Sequence, residues 1–264
     1  MPFKLLYFLF LFLLLLCCSK KEDFSEVQVI GHAGMGLKMP NSIFHDNSFE
    51  AIDLALTIPG SNGVEIDVQM DLNGRLWLFH DELLNEETNG INCISSNTTE
   101  YLKTIRYSSL KQEKLAEFSQ IPFHNFEDKS FFLDLKTWNK CAESTVSAED
   151  FKAALLAINL PKKCNIILSN PSWIPIFIDE FNVYFASDDF QNAKIILTEE
   201  PMIKGLIIRS AAINKLQTNE IIAQNKEIYL FEIRSPKGVK NALQKRPSGI
   251  ISDDLRAAIS AVSY

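Results

Sequence analysis

No basic cluster interrupts this chain. Its 264 residues carry a formal net charge of −7, which argues against nucleic acid as a partner. It has five cysteines but no C-x-x-C spacing, so a thiolate metal site is not expected. No glycine-rich phosphate loop of the G-x-G-x-x-G kind follows the first strand-like run, which weighs against an open, doubly wound nucleotide-binding sheet. The apolar run near the N-terminus, residues 5–16, is too short to span a bilayer. Twelve residues of helix reach about 18 Å, against a hydrocarbon core of ~30 Å.

That short run, ending in Cys17-Cys18-Ser19-Lys20-Lys21, reads instead as a secretory signal. Cysteine directly after the apolar stretch resembles a bacterial lipoprotein signal, with Cys18 the favoured lipidated residue, Cys17 the alternative, and a plain cleaved signal the bland reading. Residues 1–17 are then the signal peptide and 18–26 a tether. The expectation is a protein held to the cell envelope by its lipid, on the periplasmic or surface face of the outer membrane. The remaining residues, 27–264, suit one barrel-sized domain with an ample core. Cys93, Cys141 and Cys164 allow one disulfide with a thiol left over, and the sequence leaves the pairing open.

Strand and helix signals alternate along this domain. Strand-like runs fall at residues 27–30, 131–135, 165–168, 183–186, 205–208, 227–231 and 249–251. Helical patterns include residues 49–56, 148–158, 218–224, 236–244 and 254–262. Repeated β–α units imply a parallel sheet. Two further strands come from the segment GVEIDVQMDLNGRLWLFHD, residues 63–81. If residues 75–79 are a hairpin arm outside the barrel, eight strands remain. An eight-stranded α/β barrel of the TIM type is the expected fold. Residues 83–119, polar and rich in Asn, Thr and Ser, read as a small insertion after the hairpin.

The same segment holds most of the candidate chemistry. Glu65 and Asp67 are spaced i, i+2, which puts both on one face of a strand. Asn73-Gly74 reads as a two-residue turn, a register that sets Asp67 opposite His80. In an α/β barrel the working residues sit at the C-terminal ends of strands. His32 follows the first strand, and Asp134 and Lys136 end a later one. Two imidazoles, three carboxylates and a lysine thus converge on one mouth. Three carboxylates within ~4 Å repel by about 4 kcal/mol per pair at an effective dielectric of 20. One divalent cation removes that penalty, and all-oxygen ligands point to Ca²⁺ or Mg²⁺ rather than zinc.

These residues also form an ordered series: His32-Ala33-Gly34, Asp46-Asn47-Ser48, Glu65-Ile66-Asp67, His80-Asp81, Asp134-Leu135-Lys136 and Gly249-Ile250-Ile251-Ser252-Asp253. The series resembles the glycerophosphodiester phosphodiesterases, of the phosphatidylinositol-phospholipase-C-like superfamily. Their pattern runs His-Arg-Gly, Glu-Asn-Thr, Glu-x-Asp, His-Asp, Glu-x-Lys and Gly-x-x-Thr-Asp. Thr88-Asn89-Gly90 and Ile121-Pro122 extend the likeness. The resemblance implies hydrolysis of a glycerophosphodiester to sn-glycerol 3-phosphate and an alcohol. His32 and His80 would be acid and base; Glu65, Asp67 and Asp134 would hold the cation; Lys136 would bind phosphate. The family's first nucleophile is the substrate's own hydroxyl, giving a cyclic phosphate that water opens.

The chain also departs from the pattern. Ala33 replaces an arginine that contacts phosphate, and Lys38 is a candidate substitute for its charge. Asp46 and Asp134 replace glutamates. Residues 231–234, Phe-Glu-Ile-Arg, replace a tryptophan-containing stretch. Glycerophosphodiesters and lysophospholipids are the expected small-molecule partners. Two alternatives follow from the departures: a catalytically degenerate binding lipoprotein, and a lipid-active phosphodiesterase of the sphingomyelinase D type. His45 and His124 lie outside the motifs and are expected to be structural or surface residues.

Overall fold

A computed structural model describes residues 22–40, 42–137, 140–141, 146–161 and 164–263. Cys18, the signal peptide and the start of the tether lie outside the described residues. The strands are β1 (Gln28–Gly31), β2 (Gly63–Met70), β3 (Leu76–Leu78), β4 (Ala116–Glu117), β5 (Ser130–Leu135), β6 (Cys164–Leu168), β7 (Asn182–Ser187), β8 (Gly205–Arg209), β9 (Glu227–Ile233) and β10 (Gly249–Ser252). The parallel order β1-β10-β9-β8-β7-β6-β5-β2 closes on itself through a β1–β2 pairing. The result is the expected eight-stranded parallel barrel. β3 and β4 pair antiparallel outside it.

The period-2 pattern of the strands explains both layers of the core. Inward residues Ile30, Phe132, Ile167, Tyr184, Ile207, Tyr229 and Ile251 fill the barrel. Two of the interior aromatics carry hydroxyls, and both find partners near the strand starts. Tyr184 donates to Glu227 at 2.6 Å and Tyr229 to Gln28 at 3.0 Å, as buried phenols require. Outward residues such as Val64, Ile66 and Val68 pack under the helices. The helix Phe49–Thr57 starts where the Ser48 hydroxyl accepts from the Ala51 N–H, and it buries Ala51, Ile52, Ala55 and Leu56. Those four lie on one face at helical spacing.

The hairpin corrects one expectation. Its loop has three residues, not two: Asp71 pairs with Arg75, and the Gly74 N–H donates to the Asp71 carbonyl at 3.1 Å. Gly74 takes φ +79, the left-handed residue that closes a three-residue hairpin. The register therefore runs Val68↔Leu78 and Gln69↔Trp77, one residue away from the expected pairing. The Asp71 side chain is the cause. It accepts from the N–H groups of Asn73 and Arg75, each at 2.8 Å, and from the Trp77 indole at 2.9 Å.

Residues beyond the hairpin build a small core of their own from Leu84, Ile94, Leu102, Ile105, Tyr107 and Leu115, packed on Trp77 and Phe79. A Cys93–Cys141 disulfide ties this segment to the loop after β5, and Cys164 is a buried free thiol.

Candidate active site

β2 and β5 set the floor of the site. Their register places Asp67 beside Asp134 and Glu65 beside Phe132. Inward carboxylates thus stack in two layers at the C-terminal end of the barrel, and their ligand atoms lie within 4.8 Å of one another. Asn47 fixes Asp67 twice. Its amide donates to Asp67 Oδ2 at 2.7 Å and its carbonyl accepts from the Asp67 N–H at 3.0 Å. Glu65 Oε2 accepts from the Ala33 N–H at 2.9 Å. Ala33 is wholly buried with φ +46, so the residue replacing the family arginine serves the site through its backbone.

The sequence assigns Lys136 to phosphate. In the structure its ammonium bridges Asp67 Oδ1 at 2.7 Å and Asp134 Oδ2 at 2.6 Å. Burial works against both charged groups, but attraction wins. Asp67 is held well below the usual carboxylate range by Lys136, His80 and Asn47, and Lys136 is raised by Asp134 and Asp67. Among the described residues Glu65 contacts no ammonium, and the charges of His32 and Lys136 favour its ionised form without prevailing. Burial first, then the charges of Asp67 and Asp134, push it up to about 8. Three carboxylates thus face one ammonium and one imidazole, and the oxygen-only donor set suits a hard divalent cation. The residues present fit that ion.

Each predicted histidine has a carboxylate on its Nδ1. His32 Nδ1 lies 2.7 Å from Asp253 Oδ1, and His80 Nδ1 lies 2.7 Å from Asp81 Oδ1. A carboxylate accepts, so the Nδ1 of each ring carries hydrogen and Nε2 is left for the cavity. His32 Nε2 is 3.7 Å from Glu65 Oε2. Burial would lower the His32 imidazole, but the bond to Asp253 and the charges of Glu65, Asp253 and Asp67 raise it to about 9. Burial likewise opposes the His80 imidazolium, and Asp67 and Asp81 raise it.

His80 does not face Asp67 across the ladder, because of the register described above. The Phe79 N–H takes that place, donating to the Asp67 carbonyl at 3.1 Å. His80 instead follows the end of β3 and is pinned from β2. The buried Gln69 amide donates to the carbonyls of Phe79 and Asp81, each at 2.8 Å. Lys38, the candidate substitute for the missing arginine, holds Asp81 at 2.9 Å and Glu87 at 3.4 Å. His45 is structural in its contacts: its ring stacks on Tyr107 at 3.8 Å between centroids, with Nε2 3.4 Å from Glu87. His45, Asp46 and Glu87 form a second grouping of ligand-type atoms beside the site. His124 is exposed and does not line the cavity.

A cavity of about 450 Å³ brings His32, His80, Glu65, Asp67, Asp134, Lys136 and Lys38 together. Every candidate site residue within the described chain lies on it. Its far wall adds Asp188, Arg209, Phe231, Glu232 and Arg234, none of which sequence reasoning singled out as site residues. The carboxylate partners Asp253 and Asp81 were visible only as motif positions without a role. Gln69 was missed, although its i+2 spacing from Asp67 puts it on the same face.

A sequence profile of the glycerophosphoryl diester phosphodiesterase family matches residues 32–204. A glycerophosphodiester phosphodiesterase of Caldanaerobacter subterraneus is 30% identical over 113 residues, covering 41% of this chain and 44% of that protein. One from Bacillus altitudinis is 36% identical over 76 residues, 29% of each chain. The chain thus matches less than half the length of these curated relatives. Among solved structures, an Oleispira antarctica phosphodiesterase in complex with the product sn-glycerol-3-phosphate superposes with a TM-score of 0.73. It is 20% identical, with 90% of this chain and 97% of that one covered. A Thermotoga maritima glycerophosphodiester phosphodiesterase gives 0.70 at 19% identity, covering 89% and 97%. These likenesses extend the shared barrel over nearly all of the described chain.

Proposed function

This chain belongs to the glycerophosphoryl diester phosphodiesterase family, and on that premise we propose that it hydrolyses a glycerophosphodiester to sn-glycerol 3-phosphate and an alcohol. One observation carries the reading. Two imidazoles, each oriented by a carboxylate at 2.7 Å, share a single cavity with the Glu65–Asp67–Asp134 cluster. That is the equipment of general acid–base catalysis on a charged ester.

Glu65, Asp67 and Asp134 would hold one Ca²⁺ or Mg²⁺, which would supply charge neutralisation at a phosphate oxygen. Lys136 adds positive field beside it and keeps Asp67 and Asp134 ionised. His80 takes the proton of the substrate's own attacking hydroxyl as the new P–O bond forms, giving a cyclic phosphate that water then opens to sn-glycerol 3-phosphate. His32 gives its proton to the departing alcohol oxygen as the old P–O bond breaks. Against the cost of burial, Asp253 and the neighbouring carboxylates raise the His32 imidazole, which suits a proton donor; His80 is raised as well, so the leaving-group test below decides the roles. Asp253 and Asp81 keep each ring in the orientation that presents Nε2.

The address belongs to the same proposal: Cys18 is lipidated and the barrel is tethered to the envelope. The Cys93–Cys141 disulfide supports an oxidising compartment. Among the described residues no helix is long and apolar enough to cross a membrane. Cys18→Ser is expected to abolish lipid labelling and release the protein; persistent labelling would move the site to Cys17.

The test of the chemistry is turnover of glycerophosphodiesters and a lysophospholipid by wild type, His32→Ala and His80→Ala. Each variant is expected to lose ~10²-fold or more, and the double variant little beyond the worse single one. A substrate with a very good leaving group should partly rescue His32→Ala but not His80→Ala. Binding without turnover by the wild type, with any divalent cation, would mean a degenerate binder instead.

A further inference from the structure

The wall of the cavity across from the catalytic cluster carries a connected series of charges. Arg209 ends β8 and holds Asp188, after β7, through Nε at 2.9 Å and Nη2 at 3.1 Å. Its Nη1 pairs with Glu232. Glu232 Oε1 lies 3.7 Å from Arg234, and Arg234 Nε lies 3.8 Å from Asp253. Asp253 is the residue on His32. The series therefore runs from Asp188 to the proposed acid.

The backbone is shaped to present it. The pairing of β9 with β10 shifts register between Ile250 and Ser252, and Glu232 sits at φ +59. An inserted residue in left-handed conformation marks a β-bulge. Here it turns Phe231 and Glu232, consecutive in sequence, toward one cavity. Such strain in a non-glycine residue clusters at working sites.

Resting on the phosphodiesterase reading, we propose that Asp188, Arg209, Glu232 and Arg234 form the subsite for the leaving alcohol, and that it takes a neutral, polyhydroxylated alcohol rather than a cationic one. Two carboxylates and two guanidinium groups cancel in charge. The Arg209 fork is already engaged on both sides, while each carboxylate keeps spare acceptor lone pairs. Spare acceptors on a neutral ring call for hydroxyl donors. A quaternary ammonium would need free negative charge or an open aromatic face. The carboxylates are paired, and among the described residues the one aromatic ring in this wall, Phe231, already has the Arg209 guanidinium 5.4 Å from its centroid.

The test compares glycerophosphoinositol and glycerophosphoglycerol with glycerophosphocholine on the wild type and on Arg209→Ala. The wild type is expected to favour the polyol diesters by about tenfold or more in kcat/KM, and Arg209→Ala to bring that ratio toward one. The ratio is read within a single preparation, so a partly misfolded variant does not mimic the effect. A wild type that prefers the choline diester, or equal losses on all three substrates in the variant, overturns the proposal. Equal losses would mean that the ring holds the glycerol common to all of them. If none of the three is turned over, the phosphodiesterase reading fails. Calorimetric binding of the same diesters then decides the subsite: tighter binding of the polyol compounds sustains it, and equal or weaker binding overturns it.

Discussion

Asp67 and Asp188 line the same cavity from different strands of one barrel, at 1% and 66% side-chain exposure. Asp67 is buried and clamped by Asn47 and Lys136. Asp188 reaches its one guanidinium partner at the solvent edge. The catalytic wall is the less exposed of the two, hydrogen-bonded through backbone as well as side chain, and carries an excess of carboxylates. The opposite wall is wet and balanced. Electrostatic work on a reacting phosphate needs fixed dipoles and low dielectric, which the first wall has. Recognition of a variable alcohol needs only directed hydrogen bonds, which the second can give at the surface.

The contrast can be broken by mutation. Asp67→Asn removes a negative charge from the proposed cation site and half of the Lys136 clamp without changing shape. Turnover should fall on the order of 10³-fold, the upper scale for losing a preorganised electrostatic group. Initial rates at saturating cation measure this, and a loss under tenfold would show that the buried wall is not where the chemistry lies.

Asp253→Asn is a smaller blow. It leaves the barrel intact but weakens the bond that orients His32 and raises its basicity. Misplacing a reacting group can cost as much as ~10²-fold. The pH–rate profile separates orientation from mere packing: the limb assigned to His32 should move to lower pH. An unmoved limb with reduced rate would leave Asp253 a structural residue only.

At the bottom of the scale, Asp188→Asn should leave the melting temperature within a degree or two, since exposed ion pairs contribute about 0–1 kcal/mol. Thermal melting that drops by many degrees would show that the wet wall is structural after all.

How far the sequence led differs between the same two walls. The barrel followed from the alternation of apolar strand runs with helical patterns, since a period-2 face and a 3.6 stripe can pack only as layers. His32, His80, Glu65, Asp67, Asp134 and Lys136 were legible because strand-end spacing places them together. The hairpin register was not read correctly. Asn73-Gly74 outweighed Asp71, although Asp at the first and Gly at the fourth position of a type I turn is also a signature. The disulfide partners could not be chosen, because Cys93 and Cys141 are 48 residues apart in sequence. No local pattern marked Asp188 and Arg209, and Glu232 and Arg234 stood out only as a departure from the family's tryptophan-containing stretch. They come from three separate strand ends, and the bulge that aims Glu232 exists only in the pairing of β9 with β10.

The most direct test of the account is a cation titration of chelated protein, followed by sn-glycerol 3-phosphate release and by melting temperature, at pH 5 to 8. Without cation, Glu65 in the fold titrates at about 8, above its ordinary 4.5. The folded state then binds more protons than the unfolded one across that window, so stability falls as pH rises. His32, raised from 6.5 to about 9, adds stability below pH 6.5 that is lost as pH climbs toward 9. Cation binding to ionised Glu65 opposes the first loss. The account predicts that Ca²⁺ or Mg²⁺ restores product release and raises the melting temperature, by more at pH 8 than at pH 5. Product release at full rate after chelation, with melting indifferent to either ion at every pH, would contradict it.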